Sequence, residues 1–176
     1  YDPQSDSYTT TWSEIDVSCE ACHGPGSRHV AWAEVSPMGR ASLAGSGLVM
    51  QTSGIGNREI VEFCAPFHSR STELGDYDHR RPELLDNLLP TLLDEGLYHP
   101  DGQILDEDFE YGSFVQSKMF RMGVRCTDCH DPHTAKLRKE GNGVCLQCHA
   151  AAAYDDARHH FHKKEWQGKP SAGALC

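Results

Sequence analysis

One short pattern of cysteine and histidine occurs three times in this 176-residue chain. The segments CEACH at 19–23, CTDCH at 126–130 and CLQCH at 145–149 all read Cys-x-x-Cys-His. Two cysteines three residues apart lie on one face of a helical turn, so both thiols can reach the two vinyl groups of one porphyrin. The histidine that follows then lies beneath the iron as its proximal ligand. The pattern is therefore typical of covalently attached c-type haem.

Each copy supplies two cysteines for thioether bonds and one histidine for iron. The predicted thioether cysteines are Cys19, Cys22, Cys126, Cys129, Cys145 and Cys148, and the predicted proximal ligands are His23, His130 and His149. Cys-x-x-Cys pairs also bind zinc or exchange disulfides, but neither chemistry needs a histidine directly after the second cysteine. Structural zinc sites also tend to combine such pairs two at a time, and three copies do not divide into pairs. We therefore expect three haem c groups at these motifs.

A fourth segment, CAPFH at 64–68, has the same frame with Phe67 in place of the second cysteine. In one interpretation a haem is held by a single thioether to Cys64, with His68 as its iron ligand. In the other, Cys64 is a small buried thiol and His68 an ordinary polar side chain. We prefer the first interpretation, because the surrounding string reads as a haem motif with one substitution.

The last residue, Cys176, allows three interpretations. It is the first residue of another Cys-x-x-Cys-His motif, or it pairs with Cys64, or it is a lone thiol. We prefer the first of these, which makes the chain a fragment that ends inside a motif.

The 11 histidines are more than a soluble domain of this size normally needs. The surplus over the proximal ligands is large enough to give each iron a second histidine. His29 and His133 follow their own proximal histidines too closely to wrap round the same porphyrin. We therefore expect each of them to bind the iron of a neighbouring haem.

The histidine-rich segment HHFH at 159–162 is expected to supply one or two further iron ligands. Adjacent side chains on a helix point apart, whereas residues three apart share a face, so His159 and His162 are preferred over His160. His99 lies in a predicted loop. We include it among the candidate iron ligands only because the irons need further histidines. His79, between two charged residues, is expected to be exposed.

The composition indicates a fold with little side-chain core. Hydrophobic residues make up 38% of the chain and the mean hydropathy is −0.57, which is thin for conventional packing. Porphyrins are large apolar plates around which short segments can pack. We expect a single domain over 1–176 that is mainly α with extensive irregular loops, a small multihaem cytochrome c fold whose haems form the core.

Helical spacing and turn residues predict where the elements lie. The predicted helices run from Asn57 into Cys64, along the leucines from Leu84 to Leu93 with a break at Pro90, from Phe114 towards Cys126, and from Ala150 to about Trp166. Pro82 suits the first turn of the second of these helices. The glycine-rich segment 39–56 is predicted to be a loop.

The formal charge of −10 makes nucleic acid an unsuitable partner. This charge fits either a basic redox partner or a solubilising acidic surface. The apolar stretches are far below the ~18 residues of a membrane span. Covalent haem attachment of this kind takes place outside the cytoplasmic membrane in bacteria, so the motif predicts a periplasmic or extracellular protein.

Three parts of the chain resemble bacterial multihaem cytochromes c. They are SCEACHGPGSRH at 18–29, VRCTDCHDPH at 124–133 and the histidines of 159–162. The likeness is greatest to cytochrome portions joined to tetratricopeptide repeats and more distant to tetrahaem electron carriers of nitrifiers. It implies an extracytoplasmic, mostly helical, haem-packed fold and electron transfer. It also implies that position 67 is normally cysteine and that Cys176 opens a further motif.

Electron transfer through closely spaced haems, most of them bis-histidine ligated, is the function we expect, with other multihaem cytochromes as redox partners. Irons with two histidine ligands have no open position for a substrate, so we expect a carrier rather than an enzyme. Two alternatives stay open. One is a multihaem reductase with one five-coordinate haem and an anion held by Arg70, Arg80 and Arg81; the other is a conducting, self-assembling subunit of an extracellular filament or complex.

Covalent attachment gives the first prediction. The mature protein should keep its red colour after extraction with acid-acetone, because thioether bonds survive a treatment that removes non-covalent haem. Pyridine haemochrome analysis of the purified protein measures the retained porphyrin. Loss of all colour to the solvent would contradict the assignment of the three motifs.

Overall fold

The computed structural model describes residues 1–40, 45–80, 83–91, 93–106 and 110–175. The chain divides into two compact units, Tyr1–Gln116 and Ser117–Cys176. The first unit holds the motif at 19–23 and the altered motif at 64–68, and the second holds the motifs at 126–130 and 145–149. That the chain is a single haem-packed domain stays a prediction.

The first unit consists of short helices and one two-stranded ribbon. Its described elements are α1 (Cys19–His23), α2 (Ser27–Glu34), α3 (Pro37–Arg40), α4 (Asn57–His68), β1 (Ser71–Glu73), α5 (Leu84–Asn87), β2 (Leu88–Pro90) and α6 (Glu110–Gln116). Strands β1 and β2 are antiparallel, with Thr72 opposite Leu89.

The second unit has still shorter elements. They are α7 (Lys118–Arg121), α8 (Cys126–Cys129), β3 (His130–Asp131), β4 (Lys136–Leu137), α9 (Ala151–Tyr154), α10 (Ala157–His160), β5 (Glu165–Trp166) and β6 (Lys169–Pro170), with 3-10 turns at Gly141–Val144 and Ala172–Ala174. β3 pairs with β4 and β5 with β6, both antiparallel. Short helices, few short strands and irregular connections therefore make up the described chain, as the composition predicts.

Helix α4 is the longest described helix and carries the altered motif. Its apolar side chains at Ile60, Val61 and Ala65 recur at helical spacing and are buried. Pro66 lies in the last turn, and the helix ends at His68. The predicted helix into Cys64 is confirmed and continues one turn further.

The predicted leucine helix is wrong beyond its first turn. Helix α5 ends at Asn87, and Leu88 begins β2, because this backbone pairs with β1 instead of continuing the helix. Leu84 and Leu88 are buried while Leu85 and Leu89 are exposed. Two residues used in that prediction, Pro82 and Leu92, lie outside the described residues.

Two further predicted helices are divided by local caps. The stretch after Phe114 splits into α6 and α7 at Ser117, whose hydroxyl accepts a hydrogen bond from the Phe120 amide. The stretch after Ala150 splits at Asp156, whose carboxylate accepts from the Arg158 amide. Phe161, at φ 60°, then ends α10 in the left-handed region.

The described apolar core is small. Ala65, Leu84 and Leu88 form one buried cluster, against which Tyr77 and Tyr111 pack. Many other large apolar side chains are exposed, among them Ile15, Met38 and Phe161. Extensive apolar surface of the described residues is therefore not covered by other side chains. No helix among the described residues is long and apolar enough to cross a membrane.

Adjacent leucines at the start of α5 give a test of this core. Leu84 is 2% exposed and Leu85 is 65% exposed. Leu84→Ala should lower the free energy of unfolding by about 2–5 kcal/mol, because it leaves a cavity in the cluster. Leu85→Ala should change it by less than about 0.5 kcal/mol. Urea unfolding of the haem-loaded protein, followed by far-ultraviolet circular dichroism, measures both, and equal effects would contradict the placement of the cluster.

Candidate haem-attachment sites

The first motif is a single helical turn. Helix α1 spans the whole motif, which places Cys19 and Cys22 on one face with His23 at the end of the turn. The turn closes through the Gly24 amide, which donates to the carbonyl of Glu20 at 2.9 Å. Gly24 has φ 73° and ψ −175°, a conformation essentially confined to glycine.

An open cleft in the first unit adjoins this turn. Its walls include Cys22, Phe63, Phe67, Tyr77, His79 and Leu88. Burial raises the pKa of the Cys22 thiol, with a smaller contribution from Cys19. The His23 ring centroid lies 6.0 Å from that of Phe63. The walls of this cleft beside Cys22 are mostly apolar and partly aromatic, which is the kind of lining that a porphyrin needs.

His29 is held in the orientation of a metal ligand. Its Nδ1 lies 2.7 Å from the carbonyl oxygen of Ser46. A carbonyl only accepts, so Nδ1 carries the hydrogen, and the neutral ring keeps its lone pair on Nε2. Metal-binding histidines commonly donate their other ring nitrogen to a carbonyl in this way. The ring also stacks on Trp32, with centroids 5.4 Å apart.

His79 has the opposite arrangement and is half-buried, contrary to its predicted exposure. Its Nε2 lies 3.0 Å from the carbonyl oxygen of Ala21, so Nε2 donates and is engaged with the backbone of the first motif. A Cβ on Gly24 would lie 3.0 Å from His79 Cβ. Sequence reasoning missed this contact because the two residues are 58 positions apart. Its local signal is Gly24, directly after the motif, where a side chain would meet His79.

Buried Asn87 orients the segment that carries His79. Its side-chain oxygen accepts from the Asp78 amide and its NH₂ group donates to the Glu83 carbonyl, both at 3.0 Å. The Arg80 guanidinium donates to both oxygens of the Asp78 carboxylate, at 2.9 and 3.1 Å. This arginine, suggested as an anion holder, therefore already has a carboxylate partner, while Arg81 lies outside the described residues.

The altered motif lies in the last turns of α4. Cys64 is half-buried and His68 follows it by one turn. Phe67 contributes to the cleft beside Cys22. His68 is exposed, and its Nδ1 lies 3.5 Å from a carboxylate oxygen of Glu110. Sequence reasoning missed Glu110, which is 42 positions away.

The second motif forms the turn α8, held at both ends. Asp128 accepts from the Arg125 amide at 2.9 Å and from the Arg125 guanidinium, which lowers the pKa of this carboxyl. The Arg138 amide donates to the Cys129 carbonyl at 2.9 Å. His130 starts β3, opposite Leu137.

The third motif follows the 3-10 turn Gly141–Val144 and is itself a hydrogen-bonded turn. The amides of Cys148 and His149 both donate to the Cys145 carbonyl, at 3.2 and 3.0 Å. Asn142 holds the preceding turn, because its NH₂ group donates to Asp155 at 3.1 Å and to the Ala174 carbonyl at 2.9 Å.

The thiols of the second and third motifs lie within electrostatic reach of each other. The pKa of Cys129 is raised first by burial, then by the negative charges of Asp128, Cys148 and Cys126. Cys148 belongs to the third motif. The second unit therefore brings the two attachment turns together.

The histidines of 159–162 have different environments. His159 is exposed and its ring meets that of Tyr154 edge-on at 5.1 Å, while Tyr154 meets His149 edge-on at 4.6 Å. The His162 ring packs on Gly173, where a Cβ would lie 2.7 Å from Nδ1.

His160 is the most buried of the three histidines. Its Nδ1 accepts from the His162 amide at 3.2 Å, so the neutral ring carries its hydrogen on Nε2, which is enclosed without a partner. This tautomer has no lone pair on Nε2 for iron, in contrast to His29.

Two predicted ligands lie on exposed turns. His133 is exposed, and its amide donates to Asp131 at 3.0 Å. His99 is also exposed, in the predicted loop, where its amide donates to the Gln103 carbonyl at 2.8 Å.

The described cysteines form no disulfide bond, and Cys176 lies outside the described residues. Within the described ranges, no group of three or more histidine, cysteine, aspartate or glutamate side chains is arranged to hold a metal ion.

Comparison with known proteins gives one family match. The family model of the doubled CXXCH motif matches residues 118–154, which contain the second and third motifs. No curated protein and no solved structure matches the chain. The doubled motif supports a c-type, cytochrome-like multihaem protein with covalently bound haem c.

Gly24 gives a test of the first site. Gly24→Ala should lower the free energy of unfolding by about 1–3 kcal/mol, because alanine is strained in this conformation and its Cβ would meet the His79 side chain. Gly75→Ala is the matched control, since a Cβ there has no neighbour within 4 Å. Urea unfolding of the haem-loaded variants measures both, and an unaffected Gly24→Ala protein would contradict the packing of His79 on the first motif.

Proposed function

We propose that this protein carries electrons through covalently bound c-type haems that are mostly ligated by two histidines. The observation that carries the proposal is that two Cys-x-x-Cys-His turns lie in one compact unit, within the doubled CXXCH match at 118–154. Haems bonded to neighbouring sulfurs are held near each other for as long as the chain is folded. Electron exchange between their irons is then fast compared with exchange by diffusion.

An electron carrier differs from a haem enzyme in that protein side chains occupy both axial positions of every iron. His29 supports a carrier, because its Nδ1 donates to Ser46 and its Nε2 lone pair is available to iron. We draw the other second ligands from His133, His159, His162 and His99, of which four irons need only three besides His29. His160 would first have to give up the His162 amide and change tautomer. When bound, the haems supply the one-electron chemistry, and the chain supplies ligands, burial and surface charge.

A fourth haem, attached to Cys64 alone, completes the assignment. Cys64 and His68 are four positions apart on α4 and therefore share a helix face. His68 Nδ1 faces the Glu110 carboxylate, which also leaves Nε2 for iron.

The proposed location is the periplasm or the cell exterior, where haem c is attached. The net charge of −10 suits a redox partner with a basic docking surface. Other multihaem cytochromes are the partner class that we propose.

Carbon monoxide binding tests ligation and function together. The ferrous wild-type protein should bind no carbon monoxide, and its ferric form should give low-spin electron paramagnetic resonance signals alone, because two histidines occupy each iron. His29→Ala should create one high-spin iron and bind carbon monoxide at one haem.

His79→Ala is the matched control for His29→Ala. Both rings are half-buried and bonded to a carbonyl, but His79 is bonded through Nε2. It should therefore leave all irons low-spin. Carbon monoxide or nitrite binding by the wild-type protein would favour a reductase and overturn the carrier assignment, and identical spectra for the two variants would remove His29 as a ligand.

A further inference from the structure

Two histidines of the first unit differ in the charge of the group that faces Nδ1. His29 faces the neutral carbonyl of Ser46 at 2.7 Å. His68 faces the Glu110 carboxylate at 3.5 Å. The Ser46 carbonyl accepts a hydrogen bond from Nδ1 of His29, whereas the Glu110 carboxylate lies in ion-pair range of Nδ1 of His68, so only His68 lies beside a full negative charge.

The position of Glu110 follows from helix packing. Glu110 is the first residue of α6, and α6 lies against α4. The next residue, Tyr111, packs on the cluster that contains Ala65 of α4. The start of α6 is thereby held near the end of α4, where His68 lies.

The charge of Glu110 is not neutralised by a lysine or arginine among the described ion pairs. The guanidinium of Arg58, which lies on α4, is bonded to Glu62 at 2.8 Å. The negative charge of Glu110 is also felt by Tyr98, whose pKa is raised by burial and then by this carboxylate. Glu110 therefore places one negative charge beside His68.

A carboxylate beside Nδ1 stabilises positive charge on an imidazole and so makes it a more electron-rich ligand. An electron-rich ligand favours ferric over ferrous iron, and a nearby negative charge opposes the addition of an electron. A backbone carbonyl that accepts from Nδ1–H also makes the imidazole more electron-rich, but it adds no net charge. The two contributions of a carboxylate both lower the midpoint potential.

We propose that Glu110 lowers the reduction potential of the haem bound through Cys64 and His68, making Glu110 a tuning residue for that one site. The inference rests on the fourth haem of the proposed function. The His68 and Glu110 side chains are 59% and 56% exposed, so water and salt screen the interaction and limit its size.

The single thioether offers a way to observe this haem alone. One vinyl group stays conjugated with the porphyrin, so the reduced α band should lie at a longer wavelength than that of haems with two thioethers. Spectroelectrochemical titration at this wavelength gives the potential of the haem at Cys64. Intact mass and pyridine haemochrome analysis of the same sample give the number of haems.

The comparison is between Glu110→Gln and Glu59→Gln. Both remove one negative charge, but Glu59 lies in the first turn of α4, at the opposite end from His68. Glu110→Gln should raise the ratio of reduced to oxidised haem at fixed potential by up to about tenfold, or about 59 mV for one electron. It should also shift the electron paramagnetic resonance g-values of one low-spin haem and leave the others unchanged. Glu59→Gln should leave these values at those of the wild-type protein.

Some outcomes would overturn the role of Glu110 alone, and others would also overturn the fourth haem. Four haems with an unchanged potential in Glu110→Gln, or the same shift in both variants, would overturn the tuning role and leave the fourth haem intact. Three haems with a reactive Cys64 thiol in the wild-type protein would overturn the fourth haem and the tuning role together. If Glu110→Gln does not retain the haem, Glu110→Asp replaces it; the shorter carboxylate should give a smaller rise, and no rise would overturn the inference.

Discussion

The spacing of the two cysteines in each motif, one helical turn apart, is the constraint on which the rest of the structure depends. The two sulfurs and the following histidine have a nearly invariant offset, so the chain needs only to form a local turn and hold its two ends. In α1 the turn closes through Gly24, and in α8 it is held by Asp128 and Arg138. Such turns need few neighbours, which explains how they form in a chain whose described apolar core is so small.

Beyond the turns, the role of each histidine depends on which ring nitrogen is engaged. His29 and His68 use Nδ1 towards an acceptor and keep Nε2 available, whereas His79 uses Nε2. His160 receives a hydrogen bond at Nδ1 and so carries its hydrogen at Nε2. The residue type is the same in all these cases, and the local sequence does not show which ring nitrogen is engaged. The hydrogen-bond partner decides the chemistry, and the partner comes from a different segment each time.

The parts of the fold that could be predicted are those that depend on residues close together in the sequence. The attachment turn at 19–23 and helix α4 follow from spacing within a few residues. The leucines after Leu84 show why the remainder could not be predicted. Buried positions at Leu84 and Leu88 suit a helix equally well, and only pairing with β1, from another part of the chain, favours a strand. Contacts such as His79 with Ala21 and Glu110 with His68 are likewise long-range and leave no periodic signal.

Phe67 is the position at which local and long-range requirements conflict. A cysteine there would complete the fourth motif, but the side chain also contributes to the cleft beside Cys22. One thioether to Cys64 is enough to keep a proposed haem from dissociating, because a single covalent bond already prevents exchange. An aromatic ring at position 67 instead adds apolar area to the wall of the cleft beside Cys22, and apolar burial contributes in proportion to area. In the proposed four-haem protein, Phe67 thus exchanges a redundant bond at one site for apolar packing at another, and the vinyl group left free would mark the haem at Cys64 spectroscopically.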